Sequence, residues 1–404
     1  MNLTPRGCSS IGGELALCME RTRDTALGFF ASYGYNPFNP AEFQLLEGTM
    51  KNLPRKRRDR IIALNTPFGE PCCLRADITI SALSYMSTHY APEDFPLRLC
   101  YAERIFSAPT PPKENLEDTQ IGVELLGWES PGSDVEVVAM LMRALDRLGL
   151  DRSVIVLGDA SILPGLLRGL PSDISEKLIE QLQDGAYCDF MQTVKNSDAI
   201  PPEARGILLE LPWLKGSTDV LEKARNLFGS PALCAPLGPL ATLCGALESL
   251  GYGGRVRVDL GFIRDLNYYR GPIFNVYSSE EGELLGGGGR YDGTLAEARF
   301  ACQAIGFGLS LRELAIARKP EPESPAVVVW PGDVPHERAI LFAEKLAEAG
   351  ASFLISWEPE MEKSRAFARN KPCGWWVNLR DGYSEEIATG RRATDFSWVE
   401  ELLR

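Results

Sequence analysis

The chain has 404 residues, of which 45% are hydrophobic and 24% charged, so it can bury a core and is long enough for two or three domains. Its net charge of −13 argues against a nucleic-acid binder, because such proteins neutralise phosphates with an excess of Lys and Arg. No apolar run is read as long enough for a bilayer span and the first residues lack a signal-like pattern, so a cytoplasmic protein without membrane contact is expected.

Residues Ile11 to Tyr33 repeat apolar side chains at helical spacing, with Gly34 as the stop. Pro37 and Pro40 mark an extended connection. The basic run Lys51 to Arg60 reads as a solvated loop or helix end, or as a patch for docking onto an acidic partner surface. Two short strands, Ile61 to Leu64 and Cys72 to Arg75, flank a turn at Pro67, Phe68 and Gly69. A helix follows over Thr79 to His89. Strands at Leu97 to Ile105 and Thr119 to Trp128 form an antiparallel pair around the polar loop Ser107 to Asp118. Ser133 and Asp134 are cap candidates for a helix over Val135 to Leu148.

After a strand at Ser153 to Leu157, residues 161–251 show helical periodicity broken by several prolines and read as a helical insertion. Strand patterns return at Arg255 to Leu260, Ile273 to Tyr277 and Gln303 to Leu309, and the last leads into a helix. The run Lys319 to Pro325 (KPEPESP) is a linker. Beyond it strand, helix, strand, helix, strand alternate from Ala326 to Leu379, which predicts a small α/β domain. The expected organisation is an α+β body over residues 1–318, the linker 319–325 and a second domain over 326–404.

Ten cysteines are scattered without a CxxC pair, and there are only two histidines, His89 and His336. Structural zinc needs clustered ligands, so no metal site is expected, and a His-based catalytic triad is improbable.

Four segments, in order, resemble the class II histidyl-tRNA synthetase family. They are LRADIT (Leu74 to Thr79), RLCYAERIF with QIGVELLG (within Leu97 to Gly127), FIRDLNYYRGPIF (Phe262 to Phe274), and GGGGRYDG with AIGFGLSLREL (within Gly286 to Leu314). The resemblance implies an antiparallel sheet core with a helical insertion and a trimmed anticodon-binding-type domain at the C-terminus. It also places Asp77, Thr79, Gln120, Glu124, Arg264, Tyr268 and Tyr269 where the family holds histidine. Gln120 and Glu124, four apart on a strand, would face the same side. Arg264 would contact a bound carboxylate, and one of the paired tyrosines the imidazole. The glycine run Gly286 to Gly289 lacks a GK[ST] ending and matches the family's glycine turn, so it reads as close backbone packing and not as a nucleotide loop.

The chain also departs from the active synthetase pattern. Ser107 stands where the family has an arginine, and the loop after it carries Lys113 against Glu114, Glu117 and Asp118. Glu313 follows Arg312 where the family's arginine is expected. Asp265 and Asn267 replace a usual glycine and acid. Carboxylates facing a triphosphate repel it. By these features the chain looks like the catalytically inactive paralog family that serves as regulatory subunits of ATP phosphoribosyltransferase. That resemblance implies a non-catalytic chain without cofactor that dimerises within a hetero-oligomer. Its partner would be the short-form catalytic subunit in equal number, with histidine as feedback ligand. An active histidyl-tRNA synthetase and a stand-alone amino-acid-binding or ligase-like paralog stay open as alternatives.

Overall fold

The computed structural model describes residues 3–53, 55–109, 115–128, 130–264, 269–280, 282–293, 302–320, 326–371 and 373–394. Two compact units divide the chain, Met1–Pro320 and Glu321–Arg404.

The first unit is organised by a nine-stranded sheet. Its spatial order is Asn36–Pro37, Leu97–Phe106, Glu117–Leu126, Cys302–Ser310, Leu284–Gly293, Tyr269–Tyr277, Val154–Asp159, Val256–Asp259 and Lys215–Gly216. Pairing is antiparallel except at Asn36–Pro37 with Leu97–Phe106 and at Val154–Asp159 with Val256–Asp259. This is the α+β, class II synthetase-like core expected from the sequence.

One face of the sheet carries the main core. The helix Gly13–Ser32 buries Ala26, Phe29 and Phe30 there and ends where Gly34 takes φ +80°. The helix Pro131–Arg147 packs Val137, Val138, Leu141 and Leu145 onto the same layer. Its first turn is anchored by Arg290, whose guanidinium donates to Asp134 Oδ1 at 2.8 Å and to Ser133 Oγ at 2.6 Å. Asp134 and Arg290 are both buried, so each satisfies a charge the other would leave stranded.

Residues 161–251 form a run of helices, with prolines seated in the first turn at Pro202 and Pro231, where the missing N–H costs nothing. One correction concerns Pro231–Ser249. That stretch has a mean hydropathy of 1.2 and is long and apolar enough, by composition, to cross a membrane, contrary to the expectation that no run is. It is split into Pro231–Cys234 and Leu237–Ser249, and Leu237, Leu240, Leu243 and Leu247 point into the main core, which accounts for their apolar character.

A second correction concerns the glycine run. Gly286 to Gly289 is the interior of the strand Leu284–Gly293 and not a turn. Both neighbouring strands approach too closely for side chains: a Cβ on Gly288 would lie 2.0 Å from the Gly306 carbonyl oxygen. Close backbone packing is thus its role, as read from the sequence.

The second unit holds a five-stranded sheet in the order Phe353–Ile355, Val327–Trp330, Trp375–Asn378, Tyr383–Glu386 and Arg392–Ala393. The helices His336–Glu348 and Met361–Asn370 complete it. Its last two strands are antiparallel additions that the sequence pattern did not reveal. Their short, polar segments, YSEE and RA, lack a continuous apolar run.

Candidate functional site

The other face of the large sheet is stripped of side chains along one row. In register across five strands stand Asn275, Gly287, Gly308, Gly122 and Tyr101, with Asn275 and Tyr101 at the ends. At the usual strand spacing of about 4.8 Å, the three glycines leave roughly 10 Å of backbone without side chains of its own. Arg264 leans over one end, since a Cβ on Gly287 would meet its Nη1 at 2.3 Å. Tyr101 leans over the other, with its hydroxyl 2.7 Å from the Cβ position of Gly122. Gln120 borders the row, its Oε1 3.2 Å from the Cβ position of Gly308. Glu124 stands beyond the opposite border, against Gly306. Gln120 and Glu124 do rise from the same face of their strand.

Glu124 is the chemical centre of this face. It is 1% exposed and accepts from Thr79 Oγ1 at 2.7 Å and from the Tyr291 hydroxyl at 2.5 Å. Burial pushes its carboxyl from 4.5 up to about 8, with the two hydroxyls pulling the other way and Asp77 adding to the rise. Asp77 caps the helix Ile78–His89 by accepting from the Ile80 N–H at 3.0 Å. This cap fixes Thr79 in the first helical turn, where its hydroxyl reaches Glu124.

Arg264 donates to the Phe274 carbonyl at 2.9 Å and to Asn275 Oδ1. Its guanidinium lies 5.4 Å from the centroid of the Tyr269 ring. Tyr269 is buried; burial raises its phenol and Arg264 lowers it. A 290 Å³ cavity reaches both residues from the side of the helices Ile162–Leu166 and Ser172–Gln183. Tyr268, Asp265 and Asn267 lie outside the described residues.

Next to the glycine row, and reaching it at Gly308 and Gln120, is a cavity of about 500 Å³. Ser107, Glu117, Asp118 and Glu313 line it, with Arg60 and Arg312 as the cations. Arg60 donates to Ser107 Oγ at 3.3 Å and to the Ala108 carbonyl at 3.0 Å. Lys113 and Glu114 lie outside the described residues.

The structure therefore gathers Asp77, Thr79, Glu124, Arg264 and Tyr269 around one buried face, with Gln120 at its border. Sequence reading missed Tyr101, Tyr291, Arg75 and Arg60. Tyr101 and Tyr291 sit inside the quoted motifs, and their strand positions, Tyr101 opposite Gly122 and Tyr291 opposite Ala304, two residues from the partner of Glu124, are the signal that could have found them. Arg75 is 0% exposed and ties LRADIT to the next strand by donating to the Arg104 carbonyl at 2.9 Å.

Comparison with known proteins bears on this geometry. The profile of the histidyl-tRNA synthetase family matches residues 10–314. An ATP phosphoribosyltransferase regulatory subunit of Desulfitobacterium hafniense is 30% identical over 86% of this chain and 89% of its own length. The chain belongs to the histidyl-tRNA synthetase family, in its ATP phosphoribosyltransferase regulatory subunit branch. A regulatory subunit of Cupriavidus pinatubonensis, 30% identical, covers 94% of this chain and 99% of its own length. The fold agrees with a solved structure from Bacillus halodurans titled as an ATP phosphoribosyltransferase regulatory subunit/histidyl-tRNA synthetase. That pair has a TM-score of 0.81 at 23% identity, covering 94% of this chain and 98% of the other. The family match stops at Leu314, in the helix Leu311–Ala317, before the second unit begins. The matched stretch contains every strand of the glycine row and the helix Ile78–His89 beside it.

Proposed function

We propose that this chain is the non-catalytic regulatory subunit of a short-form ATP phosphoribosyltransferase, in the first step of histidine biosynthesis. Its pocket over the glycine row takes histidine as the feedback signal. The observation that carries the reading is the near full-length similarity to regulatory subunits, such as the 99% coverage of the Cupriavidus pinatubonensis chain. Site chemistry supports it. A histidine ligand brings an ammonium, an imidazole and a carboxylate. Glu124, Asp77, Thr79 and Gln120 suit the first two, and Arg264 the third.

The 500 Å³ cavity suits ATP poorly. Three carboxylates, Glu117, Asp118 and Glu313, face two guanidinium groups, Arg60 and Arg312. Aminoacyl-adenylate formation concentrates negative charge on phosphates and depends on cations aimed at them. Arg60 supplies one cation near the place where Ser107 removes another, but the balance stays negative. Erosion of the synthetase reaction follows from that balance. Dimerisation of the body, and the absence of nucleic-acid contact that the charge of −13 favours, belong to the same proposal.

The deciding experiment mixes the purified chain with the short-form catalytic subunit of its own genome and follows phosphoribosyl-ATP formation. The expected result is activation that histidine suppresses. Absence of both activation and complex formation rejects the proposal. Histidine-dependent ATP–pyrophosphate exchange by the chain alone would instead establish an active synthetase.

A further inference from the structure

Protein interiors are close-packed, and a carboxylate taken out of water is costly unless a cation or a ligand meets it. Asp159, the last residue of the strand Val154–Asp159, breaks both rules at one place. It is 4% exposed, and it lines the 290 Å³ cavity beside the helices Ile162–Leu166 and Ser172–Gln183. Its Oδ1 accepts from the Ser161 N–H at 2.9 Å and from the Ser161 hydroxyl. Both bonds fall on the same oxygen, so the turn into the next helix fixes the carboxylate and leaves Oδ2 to the cavity. Burial raises the carboxyl above its ordinary value; the Ser161 bonds lower it, and a second carboxylate, Asp134, adds to the rise. Among the described residues, no cation is one of the groups acting on it.

The other walls suit a small organic molecule. Leu163, Ile179, Phe262 and Ile273 make them mostly apolar. Two arginines border the space, and both are engaged elsewhere: Arg264 donates to the Phe274 carbonyl and to Asn275, and Arg270 to the Tyr269 carbonyl at 3.2 Å. A volume of 290 Å³ stands near the lower end of the range for ligand cavities, roughly 300–1,000 Å³. This place is separate from the chemical centre of the glycine face. Ile273, Gly289, Gly306 and Glu124 stand in register across four strands, and the strand of Asp159 lies one further on, beyond Ile273. Four spacings of about 4.8 Å put Asp159 roughly 19 Å from Glu124, too far for one amino acid to touch both.

We infer that this cavity is a second small-molecule site, in which Asp159 receives a cationic nitrogen and the four apolar side chains enclose a short aliphatic body. The shared chemistry is an alkylammonium group, carried by a small amine or by an apolar amino acid.

Calorimetric titration of the full chain with isopentylamine, isopentanol and L-leucine tests this. The first two share the aliphatic body and differ in the charge; leucine adds a carboxylate to the amine. The amine is expected to bind and the alcohol to bind more weakly by about tenfold or more, the difference typical of a charge-assisted hydrogen bond. Asp159→Asn keeps Oδ1 for Ser161 and is expected to erase the preference for amine over alcohol. It should also unfold at the same or a higher temperature, because it relieves an unpaired buried charge, whereas a carboxylate with a purely structural role would lose stability on replacement. Ile179→Phe fills the apolar wall, leaves Asp159 in place, and should abolish binding of both probes. Leucine binding more tightly than isopentylamine assigns the site to amino acids, and weaker binding assigns it to amines. The inference is overturned if the wild type binds no amine, if Asp159→Asn binds it as well as the wild type, or if Glu124→Gln loses the amine while Asp159→Asn keeps it. None of these readouts involves histidine or the catalytic subunit, so failure here is distinct from failure of the regulatory role.

Discussion

A carboxyl group whose ordinary value is 4.5 and which burial lifts to about 8 leaves a signature in the stability of the protein. Below pH 4.5, Glu124 is protonated in both folded and unfolded chains and contributes no slope. Between 4.5 and about 8 the folded protein holds the proton and the unfolded chain has released it. The unfolded state then binds fewer protons, so stability falls as pH rises through this window. Glu124→Gln keeps the shape and a hydrogen-bonding amide for Thr79 and Tyr291 but removes the titration. The expected outcome is a melting temperature for the variant that declines less than the wild type's across that window. Parallel curves for the two proteins would show that Glu124 is ionised in the fold. The same proton matters for ligand binding. A cationic ligand group placed on Glu124 favours the carboxylate, so binding near neutral pH releases a proton, and Glu124→Gln abolishes that release.

At the scale of strands, the site depends on what the sheet leaves out. Gly306 pairs with Glu124, and a Cβ there would meet Glu124 Oε2 at 1.9 Å and the Val123 carbonyl at 2.5 Å. Neither can yield, since Glu124 is held by two hydroxyls and Val123 by the sheet ladder. At Gly308, by contrast, the nearest atoms are the Tyr101 hydroxyl at 3.1 Å and Gln120 Oε1 at 3.2 Å, both side-chain ends that can shift by a few tenths of an ångström. Gly306→Ala should therefore destabilise the protein by about 1–3 kcal/mol or more, and Gly308→Ala by clearly less, as measured by urea unfolding. Equal losses would mean that the strand backbones adjust at both positions. This contrast also explains what was legible in the sequence. Alternation and the order of four motifs were enough to anticipate most strands of the large sheet and to put Gln120 and Glu124 on one face. The interior position of Gly286 to Gly289 was not, because a glycine run carries no side-chain pattern to separate strand from turn. Arg60 also escaped: a run of basic residues reads as solvated, and only tertiary contact laid Arg60 on Ser107 and Ala108. The same local ambiguity hid the two terminal strands of the second unit, which take their pairing from Trp375–Asn378 and not from their own residues.

For the whole molecule, the proposed regulatory role is a coupling between two binding events: histidine at the glycine-row pocket and the catalytic subunit at another surface. If the pocket is the regulatory input, thermodynamic linkage sets a condition that no detail of the interface can relax. The factor by which histidine changes affinity for the catalytic subunit must equal the factor by which the catalytic subunit changes affinity for histidine. Inhibition by histidine requires that the ligand favour either the dissociated chain or a less active arrangement of the complex. In the first case the complex loosens as histidine is added, by a factor expected at about 5–150, and histidine binds the free chain more tightly than the complex by the same factor. In the second the complex persists, and the factor appears between active and inactive forms. Both dissociation constants can be measured, that of the complex with and without saturating histidine and that of histidine with and without saturating catalytic subunit. Equality of the two ratios, at a value different from one, places the feedback signal in this chain. If histidine inhibits the complex while its affinity for the regulatory chain alone is unmeasurable, the signal enters through the catalytic subunit. The synthetase-like pocket would then be a relic of the fold and not its regulatory input.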